Sequence, residues 1–275
     1  MATRLTILAV AALGALSAGC GPLLEVVGRP RVTAVHPRIA GISLRHVDLA
    51  FDVDVKNPYP VPLHAPLFRY GLEIEGRDFL HGEKSVYLDL PARGVGTVSL
   101  PTTISYGELW RTYRRLRRAR EFSYRLHGVL LVSALGDTVE LPVAKAGTVP
   151  VMRAPRLRGL EVDYSPVTWA GAGVALRADL YNPNTFPIGL RDLRYRLTLG
   201  DVTVGALNAT TGGSIEPEQT GVLSLTGRLA AAGALMRLAR GEKPGRPTLT
   251  LTGHIETPYS AVDLDENPIV WTPFD

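Results

Sequence analysis

The sequence predicts an all-β protein built as two tandem β-sandwiches, and three observations carry that reading. One stretch occurs twice: residues 49–63 read LAFDVDVKNPYPVPL and residues 174–188 read VALRADLYNPNTFPI, with the two Asn-Pro steps 125 residues apart (182 − 57). In both copies apolar and polar residues alternate with period 2, the pattern of a strand with one face buried and one wet. The 28 glycines and 21 prolines are spread between short apolar alternations rather than collected in one linker, as in a chain of many strands and turns.

The register of the repeat holds away from its seed. Pro30-Arg31 answers to Pro155-Arg156, Tyr70 to Tyr195, Leu72 to Leu197, Ser99-Leu100 to Ser224-Leu225 and Gly128 to Gly253, while Pro91 and Pro217 lie 126 apart (217 − 91) and read as a one-residue gap. Two copies of a domain of about 120 residues follow, placed at 30–150 and 151–275. In the first seed Leu49, Phe51, Val53 and Val55 alternate with Ala50, Asp52, Asp54 and Lys56; in the second, Val174, Leu176, Ala178 and Leu180 take the apolar places. Each strand stops at Asn-Pro, because proline cannot donate to a ladder and asparagine bonds the backbone of the turn it opens. Asn57, Pro58, Pro62, Asn182, Pro183 and Pro187 are therefore expected to be structural turn residues.

The chain begins with one positive charge at Arg4 and an apolar run, Leu5 to Leu16, of 12 residues (16 − 5 + 1), too short for the roughly 20 that span a bilayer. Ser17-Ala18-Gly19-Cys20 follows, and the whole of 1–19 resembles a bacterial lipoprotein signal peptide, in which the cysteine after the cleavage site receives the lipid. Ser17 stands where that pattern prefers leucine. The resemblance implies lipidation at Cys20, a tether at 20–29, and a lipid-anchored place in the cell envelope, at the outer membrane facing the periplasm. Cys20 is the one cysteine in the sequence, so no disulfide forms within the chain and stability must come from the cores.

Strands are expected at Arg31 to His36, Gly41 to Lys56, Leu67 to Glu75, Ser85 to Leu90 and Gly96 to Leu100, with a closing hairpin at Phe122 to Ser133 and Asp137 to Val143. Between them Tyr106 to Phe122 breaks the pattern: Leu109, Tyr113 and Leu116 recur at i, i+4 and i+7 and predict one short amphipathic helix. Its other faces carry Arg111, Arg114, Arg115, Arg117, Arg118 and Arg120. The second copy has a matching apolar segment, Leu229 to Leu238, without that arginine load, so the helix belongs to the fold and the arginines to the first copy alone. Ala146 to Pro155 is read as the connection between copies, and Thr248 to Glu256 as a late strand of the second.

The strand, Asn-Pro turn, following Tyr-x-Leu strand, later helix and Gly-Thr-Val-Pro-Val exit together resemble the late embryogenesis abundant type 2 family, also called the water stress and hypersensitive response (WHy) domain. The residues carrying the resemblance are Asn57-Pro58, Asn182-Pro183 and their flanking strands. It implies immunoglobulin or fibronectin type III-like sandwiches, each with one short helix, no enzymatic activity, and a role in protection during drying or other stress.

The residues themselves offer little chemistry. Net charge is +4, which does not call for nucleic acid, and no Gly-x-Ser-x-Gly, His-Glu-x-x-His or phosphate-loop motif is present. The six histidines sit at no metal-ligand spacing, and neither a metal nor a cofactor is expected. Asp52 and Asp54 share a wet strand face, but the second copy has Arg177 and Asp179 there, so they read as a solvated surface. Asp263-x-Asp265-x-Asn267 imitates the opening of a calcium loop, yet Pro268 stands where the loop needs glycine. The arginine helix is the one functional candidate: beside a membrane its guanidinium groups suit the phosphates of anionic lipid. Two readings result, a stress-protective envelope lipoprotein acting on client proteins or membrane, and an envelope binding or scaffolding module that engages anionic lipid or a partner protein.

Overall fold

The alternating segments become antiparallel strands in a computed structural model, which describes residues 28–134, 136–168, 171–190, 193–200, 202–204, 207–211, 213–229, 232–242 and 245–272. The signal at 1–19, Cys20 and the tether as far as residue 27 lie outside the described residues.

The first copy contains β1 (Arg31–Ile42), β2 (His46–Lys56), β3 (Leu63–Ile74), β4 (Arg77–Leu90), β5 (Val95–Ser105), α1 (Tyr106–Thr112), β6 (Glu121–Ala134) and β7 (Asp137–Pro150). They form one sheet in the order β1-β2-β5 and a second in the order β4-β3-β6-β7. The repeated seed is the central strand of the first sheet. From it Val47, Leu49, Phe51, Val53 and Val55 are buried against Phe68, Leu72 and Ile74 of β3 and Phe122, Tyr124, Leu126 and Leu130 of β6. Phe51 meets Tyr124 edge-on at 5.5 Å. Burying each such side chain is worth about 1.5–3 kcal/mol, so this one strand supplies a large part of its domain's core.

Two sequence expectations need correction here. The strand expected from Gly41 to Lys56 is broken at residues 43–45, where the Ser43 hydroxyl accepts the N–H groups of Arg45 (3.1 Å) and His46 (3.0 Å) and turns β1 back along β2. The helix expected over 106–122 is also not continuous. α1 ends at Thr112; Tyr113 leaves helical geometry at φ −128°, ψ 83°, a 3₁₀ turn follows at Arg114–Arg117, and β6 has begun by Glu121. A continuous helix would stack Arg111 on Arg115 and Arg114 on Arg118 at i, i+4, where like charges oppose helix formation. The apolar triple survives the break: Leu109, Tyr113 and Leu116 are all buried, and the Tyr113 hydroxyl donates to Asp78 O at 3.2 Å.

The second copy contains β8 (Arg156–Tyr164), β9 (Ala172–Tyr181), β10 (Ile188–Gly189), β11 (Leu193–Leu199), β12 (Val202–Thr203), β13 (Asn208–Thr211), β14 (Ser214–Ile215), β15 (Thr220–Leu229), α2 (Ala232–Ala239), β16 (Pro247–Ile255), β17 (Val262–Asp263) and β18 (Ile269–Trp271). Its sheets run β13-β15-β9-β8 and β12-β11-β16-β17, with β18 also on β16. The copies differ at the counterpart of β4. There β12 pairs with β11 and β14 with β10, as the ends of β4 pair with β3, but the middle piece, β13, crosses to the other sheet and pairs with β15. Gly205, Gly212 and Gly213 interrupt this stretch of sequence, and glycine weakens a strand interior.

The connection between copies is shorter than the sequence indicates. β7 runs to Pro150, so Ala146 to Pro150 is strand, leaving residues 151–155 as the joint. That joint is held on both sides. Val151 N–H donates to Arg120 O (2.8 Å) and Met152 N–H to the Tyr106 hydroxyl (3.2 Å) in the first copy, while Trp271 Nε1 of the second donates to Pro155 O (3.2 Å).

Candidate functional site

Asn57 and Asn182 are fully buried, and their side chains share four bonds in the two copies. Asn57 Nδ2 donates to the carbonyls of Val61 (2.8 Å), Leu90 (3.3 Å) and Pro91 (3.0 Å), and its Oδ1 accepts from Tyr59 N (2.9 Å). Asn182 Nδ2 donates to Phe186 (2.9 Å), Ile215 (3.0 Å) and Glu216 (3.2 Å), and its Oδ1 accepts from Asn184 N (3.0 Å). Every partner is displaced by 125 residues, so Pro91 answers to Glu216 (216 − 91) and the one-residue gap inferred from Pro217 does not exist. Arg93 and Glu218, both at positive φ (52° and 59°), keep the same spacing (218 − 93). Each asparagine thus ties the turn after its strand to the chain approaching β5 or β15. Of the prolines, Pro183 is buried, Pro58 and Pro187 half-buried and Pro62 exposed.

The six candidate arginines are not gathered on one face. Arg111 faces Glu108 at 4.0 Å on α1, Arg115 reaches Glu75 at 3.7 Å, and Arg120 pairs with Glu218 of the second copy. Arg114, Arg117 and Arg118 are exposed. Arg118 and Arg120 turn instead toward Arg153 of the joint and Arg156 and Arg158 of β8, and with Tyr181 these line a cavity of about 400 Å³ between the copies.

Arg153 is the residue that sets this geometry. Its guanidinium donates to Arg117 O (2.8 Å) and Ala119 O (2.6 Å) in the first copy. Its backbone is clasped by buried Asn184 of the second, which accepts from Arg153 N (2.7 Å) and donates to Arg153 O (3.0 Å). Burial foremost, then the like charges of Arg156 and Arg120, hold Arg153 below the ordinary arginine pKa. Sequence reasoning missed Arg153, Arg156, Arg158 and Asn184. The available signal was three arginines within six positions of a domain joint.

The remaining chemical candidates are engaged in the fold. Ser43 Oγ lies 3.1 Å from His46 Nδ1, and His46 Nε2 lies 3.4 Å from Asp48 Oδ2, an order that resembles a nucleophile, base and acid. The Ser43 hydroxyl, however, accepts two backbone N–H groups and lies 3.1 Å from His46 O, so it holds the turn between β1 and β2. Asp52 meets Arg38 at 3.0 Å, and Asp54 accepts from Thr97 Oγ1 at 2.6 Å. Asp265 of the calcium-like stretch takes Arg194 on both oxygens at 2.6 Å and the Gly253 N–H at 2.8 Å. Among the described residues no three His, Cys, Asp or Glu side chains converge as a metal site would require.

Among the described residues three carboxyls sit below the usual carboxylate range. The Ser99 hydroxyl, then Arg38, lowers Asp52; the Ser123 N–H and hydroxyl, then Arg115, lower Glu75; Arg194 and the Gly253 N–H lower Asp265. A group with a depressed folded pKa contributes stability above its unfolded value, near 4, and loses it as pH falls through the folded value. The thermal midpoint is therefore expected to hold from pH 7 to 5 and to drop below about pH 4, with Glu75→Gln flattening the drop. A midpoint independent of pH down to 3 would show that these contacts contribute nothing.

The profile of the family described as Late embryogenesis abundant protein (LEA_2) matches residues 52–147 and again 177–263. No curated protein matches the chain. Among solved structures, a protein from Archaeoglobus fulgidus is 10% identical with a TM-score of 0.37, covering 45% of this chain and 99% of its own. A solution structure from Arabidopsis thaliana is 17% identical with a TM-score of 0.37, covering 46% and 83%. Red sea bream transglutaminase is 15% identical with a TM-score of 0.29, covering 88% and 31%. The fold assignment stands on the strand order and the double family match: the two matches fall on the two sandwiches, and the chain belongs to the LEA_2 family in two tandem copies.

Proposed function

We propose that the protein is a non-catalytic, lipid-anchored component of the bacterial cell envelope that protects proteins or membrane surface during water loss. Family membership in both copies is the observation that carries this reading. The physical basis is a pair of sandwiches with wet faces such as Asp48, Asp52 and Asp54 turned outward on β2. Such a surface keeps its shape as water leaves, separates unfolding clients from each other and offers them hydrogen bonds. The lipid on Cys20 would hold it at the outer membrane, facing the periplasm.

A drying assay tests the proposal. A labile reporter enzyme is dried with the chain from Gly21 onward, rehydrated, and compared with an equal mass of an unrelated folded β-sandwich. Recovery at least twofold above the control is expected; recovery equal to it removes direct protection as the activity.

A further inference from the structure

The cavity between the copies concentrates charge in a way the fold alone does not require. Five guanidinium groups line it, from Arg118, Arg120, Arg153, Arg156 and Arg158, and they come from three separate places: the approach to β6, the joint, and the first strand of the second copy. Among the described residues Glu218, on Arg120, is the one carboxylate within ion-pair distance of any of them. Five cations and one anion leave a surplus of four positive charges around about 400 Å³.

The arginines are also placed rather than merely crowded. Arg153 is fixed by its two carbonyl bonds and by Asn184, and Arg158 lies 4.7 Å above the Tyr181 ring, which holds a guanidinium flat. Arg156 and Arg158 are two apart on β8, and the register of β8 against β9 shifts between Leu157 and Gly159, so Arg158 occupies a bulge. Bulges re-aim a side chain. At the corresponding bulge of the first copy, between Val32 and Ala34, the residue is Thr33, an uncharged side chain that bonds the backbone of Asp54. The charge concentration is therefore a property of the junction and not of the domain type.

A guanidinium presents its donors as a planar fork that matches phosphate oxygens two at a time. At roughly 30 Å³ of liquid volume per water, the cavity has room for about a dozen waters, more than one phosphate group displaces. We propose that this cavity binds a ligand carrying two or more closely spaced phosphate groups, which bridges the two sandwiches by engaging arginines of both. This goes beyond the protective role and does not rest on it. The shared chemistry admits two sources, a soluble polyphosphate and a phosphorylated lipid headgroup. The second has a structural argument too, since Arg153, Arg156 and Arg158 also border a larger cavity of about 730 Å³ that is lined by Trp110, Leu157 and Trp271.

The test is calorimetric titration of the purified full-length chain, in physiological salt, with sodium tripolyphosphate, inorganic phosphate and dihexanoyl phosphatidic acid below its micelle concentration. Tripolyphosphate is expected to bind one to one, at least tenfold tighter than inorganic phosphate, and to raise the unfolding midpoint. Arg156→Gln with Arg158→Gln, both exposed side chains, should weaken tripolyphosphate binding tenfold or more without lowering the midpoint of the free protein. Arg156→Lys with Arg158→Lys should lie between, because charge remains and the fork is lost. Arg111→Gln with Arg114→Gln removes the same charge outside the cavity and should change the affinity less than twofold. Equal weakening by the two glutamine pairs, or no binding of tripolyphosphate, would overturn the proposal. Tighter binding of the short-chain phosphatidate, which carries a single phosphate, than of tripolyphosphate would overturn the requirement for two or more phosphate groups.

Discussion

Replacing Asn182 by aspartate is expected to cost the second copy about 4 kcal/mol or more, a large part of the stability of an ordinary domain. The amide nitrogen donates to three carbonyls in a fully buried place, and a carboxylate can donate to none of them. Each buried carbonyl left without a partner costs about 1–3 kcal/mol, and the new charge faces three oxygens at once. Such a carboxyl has its pKa raised, so the penalty is smallest in acid and grows as pH rises through the raised value. Alanine removes the donor without adding charge and should cost less, about 2–4 kcal/mol. Urea unfolding of the two variants at pH 5 and pH 7 separates these contributions. A loss under about 1 kcal/mol at pH 7 would mean that other donors take over the three carbonyls, and the bracket would not be what holds the turn.

The same asparagines show what was legible in the sequence. Their repetition at fixed spacing identified the seed strand and the number of domains, because period-2 burial and an Asn-Pro stop are local properties of the chain. The precision of the repeat was visible only through the bonds: Glu216, not Pro217, is the partner of Pro91, since a carbonyl can be contributed by any residue type. The break in the arginine helix was likewise hidden, because Leu109, Tyr113 and Leu116 are buried whether the backbone between them is helical or not. Apolar spacing reports which side chains go inside and tolerates the path that takes them there. The arginine cavity was illegible for a stronger reason. It exists only because two domains dock, and nothing local to Arg118 or Arg158 states that the two will meet. The switch of β13 between sheets has the same character, as the glycine-interrupted stretch leaves pairing to whichever edge is nearer.

Trp271 is where docking and folding should be measurable together. It is 6% exposed, lies opposite Leu249 on the edge of the second sandwich, and its Nε1 donates to Pro155 at the end of the joint. Truncation to alanine removes a large buried ring, for which about 3–5 kcal/mol is the usual cost, and also removes the hold of the second copy on Pro155, leaving the clasp of Asn184 on Arg153. Trp271→Phe keeps most of the apolar contact and loses the bond to Pro155, so about 1 kcal/mol is expected. Calorimetry distinguishes the two contributions. With Trp271→Ala the second copy should melt well before the first, giving two transitions, because β1 to β7 and their core contain no part of the lost contact. If the alanine variant instead melts in one transition shifted as a whole, the joint transmits the loss to both sandwiches, and Arg153 with Asn184 must couple them more tightly than Trp271 does.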